Sequence, residues 1–317
     1  MANNRILWVD QLKCLAIFGV VLCHVYQWSD MSDNLPFQVF NRFHTMLFMF
    51  LSGYFCINIK SSEDFSFHSF RMFFQKKFTR ILIPFFIIGG AFSFVNNGSF
   101  IPLLLGSIPH YWFMASVFCC MLLSYAFFAV TKRFGTRMSL LLGLLYCLLI
   151  MVLWYSGPLR PLPYSFMTIS SLPYFLLGCF YRKYDMFQRL FANDILYAIS
   201  ILLAIVFTIY RNSIPQNVAG YFYIIVLLRL FKENEAAIGS KIAKIGTYSL
   251  EVYMLHFFFL PNLSSWKDML LCSTSLNGNI ICSLAVFSLI SVCIMALSIL
   301  FGSILKGSPV SKWIIGA

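Results

Sequence analysis

The chain is short of charge. Asp, Glu, Lys and Arg make up only 11% of its 317 residues, whereas a soluble globular domain carries roughly 25%. Acids are the scarcer sign, with 11 Asp and Glu against 23 Lys and Arg. A solvated surface is hard to build from so few charges, which argues against a water-soluble enzyme. The alternating apolar–polar runs of a transmembrane barrel are missing too. So are internal repeats, low-complexity tracts and any stretch polar enough to fold as a separate soluble domain. No cleavable leader is expected, because the first apolar segment holds Asp10 and Lys13 and no small-residue cleavage site follows it. Nine of the ten cysteines lie in or beside apolar segments, where a thiol serves as a small hydrophobe. Cys272 falls in a loop with no obvious partner, and Cys119–Cys120 are adjacent rather than zinc-spaced. Neither disulfides nor a metal site are expected.

What the chain does have is apolar length: 60% of its residues are hydrophobic. Runs long enough to cross a bilayer recur from end to end, so the reading is an all-α polytopic membrane protein. Ten spans are expected, at 6–28, 43–59, 79–97, 110–131, 138–157, 165–181, 194–210, 217–231, 243–263 and 279–305. The basic residues orient them. With a cytoplasmic N-terminus, 18 of the 23 Lys and Arg fall on the inner side and only Arg42, Arg160, Arg211 and Lys267 on the outer, Lys13 lying within a span. That asymmetry obeys the positive-inside rule and puts both termini in the cytoplasm. The net charge of +12 then reads as a collar against anionic headgroups, with no nucleic-acid partner. A single membrane domain over residues 1–317 is expected.

Within the first span, Lys13 and His24 stand out, because ionisable groups at membrane depth are costly and usually serve a purpose. Their spacing of eleven residues is about three helical turns, so both leave one face, ~16 Å apart along the axis. Asp10, three residues before Lys13, is its local partner; in the bland reading Lys13 snorkels to the surface. Glu251 is expected at a similar depth, where an ion pair with Lys13 would offset two desolvation penalties. His44 opens the second span at the same level as His24, and the two imidazoles are expected to act as general base and partner; two interfacial histidines are the bland alternative. His256 follows Glu251 by five residues in GTYSLEVYMLH, and at least one of the two should face the interior.

The most basic inner loop, Lys60 to Thr79, leads into Lys76-Lys77-Phe78-Thr79-Arg80. Lys77 and Arg80 at three-residue spacing suit phosphate contacts, against a plain positive-inside signal. Ser52 beside Gly53, and Trp112 within His110-Tyr111-Trp112-Phe113, are weaker candidates. Gly53 allows close helix approach, and Trp112 fits an interfacial belt.

Taken in order, these stretches resemble one family. Lys13 and His24, within VDQLKCLAIFGVVLCH, match the basic-x10-His signature of the acyltransferase-3 family of membrane O-acyltransferases. FHTMLFMFLSGY resembles its second-span motif, with Phe48, Ser52 and Gly53 in place. KFTRILIP resembles its Arg-x-x-Arg-…-Pro element, and HYWFMASVF, PYFLLGCF and GTYSLEVYMLH resemble later markers. Lys replaces the commoner Arg at positions 13 and 77, which keeps the charge and loses the planar fork.

The resemblance implies transfer of an acyl group, commonly acetyl, from acyl-CoA to a hydroxyl of a cell-envelope glycan or lipid-linked saccharide. It implies no permanently bound cofactor, and a bacterial cytoplasmic membrane as the setting. The chain ends at Ala317, soon after the last span, as expected of a stand-alone member without an appended extracytoplasmic domain. His24, Lys13 and His44 are then the expected catalytic group, and Lys77 and Arg80 the donor contacts. A secondary transporter or flippase would share ten spans and intramembrane charge, and a catalytically dead sensor is a third class.

Overall fold

The 22 residues from Leu7 to Trp28 contain one glycine and no proline, and they form a single helix, α1. In the computed structural model of the chain, residues 5–56, 65–108, 111–210, 216–261, 263 and 276–307 are described. Among these there is no strand. After α1 come α2 (Leu35–Asn41), α3 (His44–Tyr54), α4 (Phe67–Asn97), α5 (Trp112–Thr131), α6 (Thr136–Tyr155), α7 (Ser165–Lys183), α8 (Asp185–Phe191) and α9 (Asp194–Ile209). Then follow α10 (Gln216–Glu233), α11 (Ser240–Gly246), α12 (Ser249–Leu255) and α13 (Leu276–Lys306).

Among the described residues, five helices are long and apolar enough to cross a membrane: α1, α4, α5, α6 and, over Ile280–Lys306, α13. Helices α8 and α9 meet at 63° and count as a sixth if they form one broken span. The other expected segments are helical but fall short as lone crossings. Helix α3 has only 11 residues, and α7 and α10 carry polar and charged residues at their ends.

Two expectations change. The basic stretch expected as a loop up to Thr79 is helical from Phe67 onward, because the Ser66 hydroxyl caps the turn by accepting the Ser69 N–H at 3.3 Å. Helix α4 then runs on through two π turns, Phe78–Leu82 and Phe85–Gly89, on either side of Pro84. Proline brings no N–H to the ladder, and the wider turns absorb the missing bond.

The ninth expected span, 243–263, is not one helix. It breaks at Thr247–Tyr248 into α11 and α12, and a 3₁₀ turn, His256–Phe259, follows. The Thr247 N–H divides between the Ala243 and Lys244 carbonyls, both at 3.2 Å, and Tyr248 N–H reaches back only to Ile245. These tightened turns end α11. Irregular backbone at membrane depth persists where protein shelters it.

The chain forms two compact units. In the first, Met1–Phe48 with Leu190–Ile304, α1 is the centre. A Cβ at Gly246 would run into the Asp10 carbonyl oxygen, so α11 meets α1 backbone to backbone. A Cβ at Gly19 would lie 2.9 Å from the Cβ of His44, so α3 too approaches α1 closely. Gln11, fully buried, donates to the Glu235 and Gly239 carbonyls at 2.7 and 3.1 Å. At the other end, Tyr26 packs edge-on against Phe287 of α13 at 4.7 Å.

In the second unit, Met49–Arg189 with Leu305–Ala317, α3 and α7 cross through a reciprocal pair of glycines. A Cβ at Gly53 would strike the Phe175 carbonyl, and one at Gly178 would strike the Phe50 carbonyl. The Cys179 thiol donates to the Gly53 carbonyl at 3.2 Å. Helix α5 packs on α7 and α4, and α6 lies on α7.

Candidate active site

Three histidines of the first unit have Nδ1 beside an oxygen. In His44 it faces the Phe40 carbonyl at 2.8 Å, and in His256 the Val252 carbonyl at 2.9 Å. Both rings are buried. In His24 it faces Gln27 Oε1 at 2.8 Å. An acceptor there puts the proton of the neutral ring on Nδ1 and the lone pair on Nε2. His24 differs from the other two in being partly accessible, as are its neighbours Gln27 and Trp28.

The imidazole beside His24 is that of His256, stacked at 5.4 Å and 25°. This corrects the expected pairing with His44. Neighbouring positions on a helix diverge by about 100°. It is Cys23, not His24, that faces His44, with Sγ 3.8 Å from Nδ1. His44 sits behind α1 and packs over Gly19. Phe257, at 4.7 Å, and Trp28, at 6.4 Å edge-on, complete an aromatic surround for the His24 ring. The helix break brings His256 here: the 3₁₀ turn starts at that residue and carries Phe257 next to it.

At the opposite end of α1, Lys13 Nζ bonds Asp10 Oδ1 at 2.8 Å, as the spacing suggested. Asp10 is buried, and its carbonyl is the one against Gly246. Glu251 is also buried, on α12, with its Cβ and Cγ closing over Gly302 of α13. In the second unit, Lys77 is half-buried, with its ammonium 5.7 Å from the Phe73 ring, and Arg80 is exposed. The π turn that begins at Phe78 lies between them. It widens the turn, so three-residue spacing no longer gives the shared face of a regular helix. Ser52 is half-buried on α3, next to the glycine crossing. Trp112 opens α5, half-exposed and edge-on to Phe113 at 6.0 Å. His110, Lys60 and Cys272 lie outside the described residues.

Sequence reasoning missed Gln27, Trp28 and Phe257. Gln27 had one available signal: it follows His24 by three residues, the spacing at which side chains meet on a helix. An apolar groove of about 300 Å³ also opens in the first unit, lined by Val39, Ile201, Tyr223, Val226 and others. Its polar groups, Thr208 and Tyr223, bond each other, so it offers no catalytic group. No group of three His, Cys, Asp or Glu that could hold a metal occurs among the described residues.

An accessible imidazole with Nδ1 anchored and Nε2 carrying the lone pair has the form of a general base. No curated protein and no solved structure matches this chain. A family model described as an acyltransferase domain matches residues 6–305, nearly the whole length. The chain therefore belongs to the acyltransferase-3 family, as a membrane acyltransferase that transfers acyl groups other than aminoacyl groups.

Proposed function

We propose that the chain moves an acyl group, acetyl in the simplest case, from acyl-CoA to a hydroxyl of a cell-envelope glycan or lipid-linked saccharide. His24 is the general base. The observation that carries this is the His24 ring itself, tied to Gln27 through Nδ1, faced by His256, and accessible at the end of α1.

In the reaction, His24 Nε2 takes the proton of the acceptor hydroxyl as its oxygen attacks the thioester carbon. The tetrahedral intermediate collapses, the C–S bond breaks, and the CoA thiolate leaves, the proton held on His24 Nε2 passing to it and returning the base to its starting form. The His256 face holds the ring in plane, and the Gln27 oxygen stabilises the imidazolium through Nδ1–H. Lys13 lies ~16 Å down the helix from His24 and is engaged by Asp10, so its role is to position α1 rather than touch the reacting atoms. His44, buried against Gly19, supports the same helix. Lys77 and Arg80 contact the donor through its phosphates, a reading supported by their charge.

The topology that accompanies this is ten crossings with both termini cytoplasmic, in a bacterial cytoplasmic membrane, with one acyltransferase domain over 1–317. The helices at all ten segments and the 18-to-4 split of basic residues support it. Cysteine-accessibility labelling in a Cys-free background tests the arrangement. Labelling of the 132–137 loop from outside would reverse it.

The activity is tested with purified protein in gradient-free liposomes, using radiolabelled acetyl-CoA and a saccharide acceptor. Acetylated product is expected. A protein that moves solute across sealed vesicles and neither transfers acetyl nor hydrolyses acetyl-CoA would be a transporter instead. Envelope-glycan mass spectra with and without the protein identify the acceptor through the acetyl groups lost.

A further inference from the structure

Arg182, on the last turn of α7, lies against a pair of aromatic rings that meet edge-on at 5.1 Å. Its guanidinium carbon is 4.9 Å from the Tyr54 ring centroid and 5.5 Å from that of Phe55. Nη1 donates to the Tyr54 carbonyl at 3.0 Å. A guanidinium has five N–H donors in a rigid plane, so this bond leaves an open edge for an anion. Arg182 is half-buried, and Phe55, large and apolar, is 40% exposed.

A second cation, Lys183, follows on the same last turn of α7. Lys183 sits 4.7 Å over the Phe128 ring. The simplest alternative is that Arg182 only caps the carbonyl end of α3. A cap accounts for the Tyr54 bond. It does not account for an exposed ring against the guanidinium, nor for the second cation beside it on the same turn.

We propose that Arg182 and Phe55 form a subsite for the phosphorylated nucleoside end of the acyl donor. The base stacks on Phe55, and the planar fork of Arg182 engages a phosphate monoester. This rests on the reading of Lys77 and Arg80 as donor contacts. It supplies the bidentate geometry that lysine at position 77 cannot. A lipid headgroup phosphate offers the same chemistry, so the test separates the two sources.

The experiment measures binding of CoA and 3′-dephospho-CoA to the full chain in phosphatidylcholine nanodiscs. Wild type should prefer CoA. Arg182→Lys should weaken CoA about tenfold, the scale of a lost charge-assisted hydrogen bond, and leave 3′-dephospho-CoA within about twofold. Phe55→Leu should weaken both ligands alike. Because Phe55 is exposed, that variant keeps the proposal testable if Arg182→Lys fails to fold. Wild-type discrimination in Arg182→Lys, or wild-type affinities in Phe55→Leu, would overturn the subsite. Arg80→Ala distinguishes the two levels. If Arg80→Ala loses CoA while both subsite variants keep it, only the subsite falls. If Arg80→Ala and Lys77→Ala bind CoA normally, the donor reading falls as well. Arg182-dependent retention of phosphatidylglycerol, with CoA affinity independent of Arg182, would assign the platform to headgroups and also overturn it.

Discussion

Helices α1 and α6 are nearly equal in length, 22 and 20 residues, and α6 is the more apolar. Yet 78% of the membrane-length window of α1 is buried inside the protein, against 11% for α6. In water the more apolar helix would be the better buried. In a bilayer the lipid tails are as apolar as leucine, so apolarity gives no reason to leave them. Packing and polar groups decide instead. Helix α1 carries Asp10, Gln11, Lys13 and His24 and meets Gly246 at backbone distance. Helix α6 buries only Ser139 and Gly143 and turns Leu144 and Leu148 outward. The helix with the most to hide from lipid became the centre of its unit.

Substitutions at four positions test that contrast, from the largest effect down. His24→Ala, at the accessible end of α1, should cut acyl transfer ~10²–10⁴-fold without loss of folded protein. Near-normal transfer by a monodisperse purified variant would remove His24 as the base. Gly246→Ala forces a methyl against the Asp10 carbonyl and should cost about 1–3 kcal/mol as overpacking. A lowered melting temperature in detergent would show this, and an unchanged one would mean that α11 can back away from α1. His256→Ala should lower kcat about tenfold, in line with a ring pair worth ~0.5–1.5 kcal/mol, while KM for the acceptor stays put. His256→Phe should recover most of the loss. No recovery would mean that the imidazole nitrogens matter, beyond the flat face. Leu144→Ala on α6, where Leu144 is 67% exposed, should move stability by less than ~0.5 kcal/mol. A large effect would mean that α6 has a protein neighbour on its outward side.

Much of α1 was legible beforehand. The expected span 6–28 and the helix Leu7–Trp28 nearly coincide, because an unbroken apolar run leaves the backbone no better choice in lipid. The Lys13–Asp10 pair was legible too, since i,i+3 contacts are local. The partner of His24 was not. Which of two imidazoles stands beside it depends on helices more than 200 residues apart in sequence, and a one-residue rotation gives His44 to Cys23 instead. The break at Thr247 was hidden for a related reason: residues 243–263 are apolar on average, and the tightened turns that interrupt them show only in the backbone hydrogen bonds. In α4, the shared face of Lys77 and Arg80 assumed a regular helix, which the π turns around Pro84 do not provide.

The length of α4 has a further consequence. Its 31 residues measure ~46 Å at the usual rise, well beyond the ~30 Å of a hydrocarbon core. Such a helix must lean, or stand proud of the membrane like a dipstick. Lys76, Lys77 and Arg80 lie midway along it, so the height at which they meet water is set by the thickness of the surrounding lipid. Exchanging long acyl chains for short ones would raise or sink these cations without altering one atom of the protein.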